Sequence, residues 1–375
     1  MNIAVNGLPF NRGGGTTYLK NVLPRLAETD DQYYIFVSSN QSDIPEIDEG
    51  NIEYIEIKFP VNFILLRLLY EQLLFPLHLQ KYNIDILYSP TDITTLISPC
   101  PTIIAFRNPN PYAVDRSRSL KLQLRHLVHR SLAKLSARRS SKVIFVSEYF
   151  QNLVQSSIDI DSEKCTLIYH GIDVDMFSEP IVPQDDKVKN IANKEPGYIL
   201  CVSTIYPHKN YEALINGFAK LPTDLQKKHP LVIAGGTPKP SYFNSLMDLV
   251  QEHGIGDDIV FLGRIDYQAI PYLFSHATVS VLPSKLETFG HPLVESMAAE
   301  TPVIASRTSA IPEIVDDAAL LFDPDDPTDL MKSLEKILTS EELQEQLAKD
   351  GKHRARDFSW EKTVKDTHKL FQSVV

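Results

Sequence analysis

The sequence lacks several features that would assign a protein class at once. Its three cysteines, Cys100, Cys165 and Cys201, are far apart and form no CxxC or metal-ligand spacing, so a reducing cytoplasm fits best. It has no apolar run of about 18 uncharged residues that could span a membrane. The first residues, MNIAVNGLPF, lack the basic region and the apolar core of a signal peptide. The formal net charge of −11 argues against a general nucleic-acid binder.

Other absences concern metal sites and repeats. No DxD-like or His-rich spacing is convincing as a metal site, so we expect neither a metal nor a bound cofactor. There is no short-period internal repeat, although both halves alternate predicted strands with predicted helices. A chain of 375 residues with 43% hydrophobic and 23% charged residues is typical of a globular protein with two domains.

The stretch 281–305, VLPSKLETFGHPLVESMAAETPVIA, predicts a strand, a loop, a helix and a second strand. In open α/β sheets, ligands bind at loops that follow the carboxyl ends of strands. Gly290 would let a ligand approach the backbone closely, and Pro292 suits the first turn of the helix. The positive end of that helix would favour an anion such as a phosphate.

Two carboxylates flank this predicted anion site, Glu287 in the loop and Glu295 in the first helical turn. They would repel a phosphate, so we interpret them as acceptors for neutral hydroxyl groups, one for a sugar and one for a ribose. The alternative is simple capping, because acidic residues are common at helix starts.

The motif ETFGHPLVE, residues 287–295, resembles the signature of retaining glycosyltransferases with the GT-B fold, specifically the large GT4-type family of group 1 glycosyl transferases. The next residues, SMAAETPVIAS, resemble its continuation. The resemblance implies an α/β protein with two Rossmann-like domains that face each other across a deep cleft. It also implies that the first glutamate holds the donor sugar and the second holds the nucleotide ribose. The residues of this motif expected to bind the donor are Glu287, Phe289, Gly290, His291, Pro292, Leu293 and Glu295.

Further donor contacts follow from the same resemblance. Lys209 lies at a predicted helix entrance, where the family has a lysine that binds the diphosphate. Many members carry a glycine and an arginine shortly before it, whereas this chain has Ser203 and Thr204, so Lys209 is expected to carry more of the leaving-group stabilisation. A lysine here could also be merely solvated. The glycine run at residues 13–15, which comes just before a predicted helix, could likewise be only a flexible turn. The remaining expected donor contacts are Gly14, Gly15, Ser203, Arg264 and Ile265.

The strand PTIIAF ends at Arg107 and Asn108, where many relatives have a His-Asp pair near the acceptor. This difference puts a histidine base in doubt. Arg107 could instead contact an anionic group or the donor diphosphate. The expected catalytic residues are therefore Glu287, Lys209 and Arg107.

The chain order predicts an N-terminal Rossmann-like acceptor domain at 1–180 and a nucleotide-sugar domain at 195–357. The segment 178–197 is polar and contains prolines, which favours an interdomain linker. The resemblance implies that the last helix, about 358–375, packs back onto the first domain.

Two segments of the N-terminal half have alternative interpretations. Residues 59–79 are unusually apolar and predict a helix packed inside the domain, or else an acceptor groove or a membrane-surface helix. From Arg107 to Lys142 there are ten Lys and Arg residues and one acidic residue. That basic segment is either a solvated helix face or a contact for anionic lipid head groups.

The resemblance, together with these observations, implies a retaining, metal-independent hexosyltransferase that moves a sugar from a nucleotide diphosphate, UDP or GDP, to an acceptor hydroxyl. The acceptor would be a saccharide or a lipid-linked saccharide, in the synthesis of a cell-surface polysaccharide or glycolipid. We expect a cytoplasmic protein, peripheral on the inner face of the membrane if the basic segment binds lipid. One alternative is a nucleotide-sugar epimerase of the same fold, but we find no carboxylate and histidine set for proton abstraction at the sugar ring. Another is a non-catalytic partner that binds nucleotide sugars.

Overall fold

The computed structural model describes residues 1–10, 14–38, 47, 50–60, 63–113 and 119–375. The chain forms two compact units. Unit 1 contains Met1–Gly171 together with Trp360–Val375, and unit 2 contains Ile172–Ser359.

Unit 1 contains a parallel sheet, for which seven strands are described. Their spatial order is β3-β2-β1-β4-β5-β6-β7, so the direction of winding reverses between β1 and β4. Long apolar runs suit such strands because helices cover both faces of a parallel sheet. The strands are β1 (Asn2–Asn6), β2 (Gln32–Ser38), β3 (Ile52–Ile57), β4 (Ile86–Ser89), β5 (Thr102–Phe106), β6 (Lys142–Phe145) and β7 (Cys165–Leu167).

The helices of unit 1 lie on two sides of this sheet. Alternate residues of a strand point to opposite faces, and Val5 of β1 packs in the cluster that contains Tyr18, whereas Ala4 packs in the cluster that contains Tyr70 and Phe75. The first helices of the chain are α1 (Gly14–Leu26), α2 (Ile64–Leu73), α3 (Phe75–Lys81), α4 (Leu120–Arg139) and α5 (Glu148–Gln155).

Unit 2 has a second parallel sheet, with the order β10-β9-β8-β11-β12-β13 among its described strands. This is the strand order of the doubly wound Rossmann fold, with its reversal point between β8 and β11. The strands are β8 (Ile199–Val202), β9 (Leu231–Ala234), β10 (Ile259–Gly263), β11 (Val279–Leu282), β12 (Val303–Ser306) and β13 (Leu320–Phe322).

The helices of unit 2 surround this sheet, and one of them corrects a prediction. The segment 178–197 is part of unit 2 and contains a helix that buries Val188 and Ile191. Apolar residues three apart give even this short polar segment a face to bury, so the linker prediction was wrong there. The helices are α6 (Val174–Ser178), α7 (Asp186–Ala192), α8 (Tyr211–Ala219), α9 (Thr223–Lys228), α10 (Pro240–His253), α11 (Ile270–Ser275), α12 (His291–Ala298), α13 (Ile311–Val315), α14 (Pro327–Leu338) and α15 (Glu341–Ala355).

The last helix, α16 (Trp360–Gln372), returns to unit 1. The Trp360 ring lies 6.0 Å from the Tyr18 ring of α1, and Phe371 lies 5.3 Å from Tyr88 of β4. The Thr363 hydroxyl donates to the Tyr169 carbonyl at 2.9 Å. The sheet core of unit 1 therefore includes side chains from both of its chain segments.

The described part of the apolar segment 59–79 includes α2 and most of α3, but only some of its side chains are packed. Tyr70, Phe75 and Leu79 are buried against the sheet. Leu65 and Leu69 point to solvent and are more than half exposed. The prediction of a helix packed inside the domain therefore holds for the inner face and is wrong for the outer face. Among the described residues, the helices are too short or too polar to cross a bilayer.

Candidate functional site

Two loops of unit 2 leave the same edge of its sheet at the reversal point. β8 and β11 are hydrogen-bonded neighbours, although β9 and β10 lie between them in sequence. The loop after β8 contains Lys209, and the loop after β11 contains Glu287. Helices on either side of such a point wind away from each other and leave a crevice, which is where open α/β sheets bind ligands.

Lys209 and Glu287 form an ion pair at this edge. The Lys209 Nζ lies 2.6 Å from Glu287 Oε1, and the two side chains are 16% and 11% exposed. The loops are also joined through the backbone, because the Lys285 N–H donates to the His208 carbonyl at 2.8 Å. Salt screens a mostly buried ion pair much less than one on the surface. The pair therefore places two weakly screened opposite charges at the reversal point.

The helix α12 begins at the same loop. Gly290 is its N-cap residue, with φ 87° and ψ 63°, and Pro292 lies in the first turn. A left-handed backbone of this kind favours glycine, and a Cβ atom there would lie 2.9 Å from Leu293 Cδ1. Gly290 offers no side-chain cap, so the positive end of the α12 dipole meets the loop directly.

Glu295 lies inside α12 and is 6% exposed. Tyr267 lies after β10 in the chain, and its hydroxyl donates to Glu295 Oε1 at 2.9 Å. Burial raises the pKa of Glu295 to about 7, and the tyrosine hydrogen bond opposes this rise. The Glu295 carboxyl is therefore poised to change charge close to neutral pH.

The chain matches two family models. The model described as Glycosyl transferases group 1 matches residues 183–354, and the model described as Glycosyltransferase Family 4 matches residues 12–176. The chain belongs to this GT4-type glycosyltransferase family. The family resemblance of the ETFGHPLVE motif is thereby confirmed, and the strand order of each unit agrees with the two Rossmann-like domains of the GT-B fold.

Relatives and solved structures extend this finding. The chain is 30% identical over 172 residues to O-antigen chain mannosyltransferase B of Escherichia coli, covering 46% of this chain and 44% of that one. It is 28% identical over 227 residues to O-antigen chain mannosyltransferase RfbU of Salmonella typhimurium, covering 60% and 58%. The matches thus span 44% and 58% of the lengths of these relatives. HepE of Anabaena in complex with UDP and glucose has a TM-score of 0.77 at 18% identity, over 100% of both chains, which supports the GT-B fold.

The other unit 2 residues expected at the donor site of a GT4-type protein lie in α12 or in the loops that follow β8, β10 and β11. Phe289 is buried and its ring contacts the His291 ring edge-on at 5.1 Å. The Ser203 carbonyl accepts from the Tyr211 hydroxyl at 2.6 Å, and any Cβ atom at Gly235 would overlap that carbonyl. Arg264 follows β10 and is exposed, and Ile265 next to it is half-buried.

Three of the expected residues belong to unit 1. Gly14 is the first residue of α1 and Gly15 follows it, whereas Arg12 and Gly13 lie outside the described residues. The Arg107 guanidinium carbon lies 3.3 Å from the centre of the Tyr18 ring, close enough for a cation–π contact.

Arg107 Nη2 also donates to the Tyr88 hydroxyl at 3.1 Å, and the Tyr18 and Tyr88 hydroxyls lie 2.7 Å apart. These contacts hold Arg107 at the carboxyl end of β5. They do not test its catalytic role, which stays a prediction.

Sequence reasoning missed two groups. Tyr267 reaches Glu295 from a different loop, and no local pattern marks it. In unit 1, Asp92 Oδ2 accepts from the Tyr112 hydroxyl at 2.8 Å and lies 2.7 Å from His129 Nε2. Asp92 and His129 are far apart in sequence, so only the fold brings them together. Among the residues that the structure describes, groups of three or more His, Cys, Asp or Glu side chains suited to a metal are absent.

Proposed function

We propose that the protein is a retaining glycosyltransferase that moves a hexose from a nucleotide diphosphate to an acceptor hydroxyl. The observation that carries the proposal is the Lys209–Glu287 ion pair, which lies at the reversal point of the unit 2 sheet beside the start of α12. A cation, a helix dipole and two carboxylates around one crevice suit a ligand that has a diphosphate between two sugars.

The leaving diphosphate gains negative charge as the bond to the sugar breaks. In this proposal the Lys209 ammonium and the positive end of α12 stabilise that charge, because fixed cations and dipoles act strongly in a site with little water. They would supply the positive charge without a metal ion or another cofactor. The backbone around Phe289, His291 and Leu293 would lie along the diphosphate and sugar.

The two carboxylates would hold hydroxyl groups on either side of the diphosphate. Glu287 would accept from the donor sugar, and Glu295 would accept from the ribose. Binding then exchanges the Lys209–Glu287 contact for two contacts with the ligand, one for each charge. Retention of anomeric configuration would follow from attack on the same face that the diphosphate leaves, with the leaving phosphate taking the acceptor proton.

The nucleotide, sugar and acceptor are proposed from relatives. Two relatives are named as O-antigen mannosyltransferases, and the structural neighbour HepE binds UDP and glucose. We therefore propose a UDP- or GDP-sugar donor, a saccharide or lipid-linked acceptor, and a role in cell-surface polysaccharide synthesis. Ser203, Arg264, Ile265, Gly14 and Gly15 would complete the donor contacts, and Arg107 would contact an anionic group.

We also propose that the protein works in the cytoplasm, against the inner face of a membrane. The basic segment 107–142 supports this, since clusters of Lys and Arg are attracted to anionic lipid head groups. Its helix α4 contains no acidic residue.

A thermal-shift panel of UDP, GDP, ADP and dTDP sugars tests the donor proposal. A ligand that binds the native state raises the melting temperature by mass action. Transfer of radiolabel from that donor to an acceptor would support the proposed reaction, whereas interconversion of the sugar without acceptor would contradict it.

The substitution Lys209→Ala tests the leaving-group assignment. By analogy with loss of an oxyanion donor, kcat should fall on the order of 10²-fold or more. Lys285→Ala is the matched control, because Lys285 lies in the same pair of loops but bonds to Asp325 at 2.6 Å on the exposed side. Equal rates for the two variants would refute the role of Lys209.

A further inference from the structure

The outer face of α2 and α3 exposes a row of large apolar side chains. Their exposed fractions lie between 53% and 76%, far above the values of the buried inner face. Leu65, Leu69 and Leu73 of α2 are four residues apart, so they share one side of that helix. Phe63, just before α2, and Leu77 of α3 are exposed as well.

The helix α4 exposes a second apolar row together with positive charge. Only Ala133, Ser136 and Ala137, in its second half, are buried. Four large apolar side chains of the first half are each between 52% and 84% exposed, namely Leu120, Leu124, Leu127 and Val128. Lys121 and Arg125 are exposed beside them. At the far end of α4, Arg138 and Lys134 are occupied by Asp159, at 2.9 and 3.9 Å.

The loop between β4 and β5 forms hydrogen bonds with both α2 and α4. The Gln72 side chain of α2 donates to the Thr94 carbonyl at 3.1 Å and accepts from the Leu96 N–H at 2.8 Å. On the other side, the Thr94 N–H donates to Ser136 Oγ of α4 at 3.1 Å. Ile97, next along this loop, is 77% exposed. We call the α2–α3 row, Ile97 and the first half of α4 the apolar–basic face.

The charges of this face decide what it can bind. A soluble surface rarely leaves so many large apolar side chains together unless they meet a partner or a membrane. A two-fold dimer through this face would bring the basic α4 helices of two copies together, with like charges opposed. Glu71, the acidic residue of α2, is buried and accepts from Asn6 instead of facing outward. An anionic bilayer satisfies both the apolar and the basic parts.

We propose that the apolar–basic face inserts into the head-group layer of an anionic bilayer. The leucines of α2 and α4 would enter the boundary of the acyl chains, while Lys121 and Arg125 contact lipid phosphates. The proposal deepens the membrane contact of the proposed function, on which it rests for the membrane. It adds to the basic segment the apolar side chains of α2 and α3, which lie outside that segment. Two signals, apolar and ionic, are what stable peripheral binding requires.

Co-sedimentation of the 375-residue chain with vesicles tests the face. Vesicles of phosphatidylcholine alone are compared with vesicles that also contain phosphatidylglycerol. Replacing one leucine that is inserted into the bilayer by glutamine should weaken vesicle binding about tenfold. The double variant with Leu65→Gln and Leu69→Gln should therefore bind about a hundredfold more weakly. Lys121→Gln with Arg125→Gln should weaken it about fivefold per charge, and only on the anionic vesicles.

Matched controls keep the apolar and ionic effects separate. Ile181→Gln with Val182→Gln removes two side chains of unit 2 that are 80% and 62% exposed, and Lys227→Gln with Lys228→Gln removes two exposed lysines of unit 2. Both control variants should bind vesicles like the wild type. Leu124→Gln is the second apolar variant if the α2 pair reduces the melting temperature.

Several outcomes would overturn the proposal. The first is that the wild type stays in the supernatant with anionic vesicles at low salt. The second is that the variant with both Leu65→Gln and Leu69→Gln binds vesicles as well as its control variant does. The third is that the wild type is a dimer which this variant converts to a monomer, without any vesicle binding. The donor-induced thermal shift of the wild type is measured in parallel. Its absence would refute the proposed function, whereas absence of vesicle binding alone would refute only this face.

Discussion

The substitution Glu295→Gln should change how stability depends on pH. The folded pKa of Glu295 is about 7, against an ordinary value of 4.5, because the carboxyl is buried. Between these values the folded state binds a proton that the unfolded state releases, so the free energy of unfolding falls as pH rises through this window. A difference of about 2.5 pH units at about 1.4 kcal/mol each corresponds to about 3 kcal/mol.

Glutamine keeps the shape of the side chain and can still accept the Tyr267 hydroxyl, but it cannot ionise. Urea unfolding is measured at a series of pH values. Between pH 4.5 and 7 the free energy of unfolding of the variant should therefore rise relative to that of the wild type by up to about 3 kcal/mol. Above that window the gain should stay constant. All other titrating groups are shared by the two proteins, so the difference between their curves isolates Glu295.

Tyr267→Phe gives a second arm. The tyrosine hydrogen bond lowers the pKa of Glu295, so its removal should move the pH-dependent loss of stability to higher pH. Parallel curves for wild type and Glu295→Gln would refute the reasoning, since they would mean that the carboxyl ionises as easily in the folded state as in the unfolded one.

If the proposed donor site is right, the same group should make nucleotide binding sensitive to pH. If ribose hydroxyls donate to the Glu295 carboxylate, they favour its charged form, so binding should release a proton at pH values below 7. Affinity for the donor should then rise with pH up to about that value in the wild type. Calorimetry in buffers of different ionisation enthalpy measures the released proton directly, and Glu295→Gln should release none.

Two further substitutions test the loop and the core. Gly290→Ala should cost about 1–2 kcal/mol of stability because φ is 87° there, and it should also reduce the donor-induced thermal shift. Its control, Gly254→Ala, has φ 67° with open space around the new methyl group, and should lose stability while keeping the full shift. Trp360→Ala removes a side chain that is 3% exposed and should cost about 3–5 kcal/mol, measured by urea unfolding of unit 1. A loss below 1 kcal/mol would contradict the packing of Trp360 against α1.

The secondary structure of residues 281–305 follows from local sequence patterns alone. The strand, loop, helix and strand predicted for 281–305 correspond to β11, α12 and β12. The preferences of glycine for turns, of proline for helix starts and of β-branched residues for strands depend on only a few neighbouring residues. These elements can therefore be predicted without knowledge of the fold. Lys209 and Glu287 were each identified by resemblance, but their contact depends on β8 and β11 becoming neighbours. That strand order is a property of the whole sheet.

Burial was the harder prediction. An apolar run such as 59–79 indicates a helix but not which of its faces the rest of the chain covers, and here Leu65 and Leu69 remain outside. The opposite error occurred at 178–197, where a polar segment still buries Val188 and Ile191. Both errors arise because burial depends on distant elements, whereas composition describes only the segment itself.

The division of unit 1 into two chain segments has a consequence for synthesis on the ribosome. Unit 2 is continuous, so it can fold as soon as it has emerged, as domains generally do during translation. Unit 1 must wait for α16, which is made only after unit 2. Until then Tyr18 and Tyr88 lack the aromatic rings of Trp360 and Phe371. The nascent N-terminal half is thus expected to be the part of the newborn chain that needs protection by chaperones.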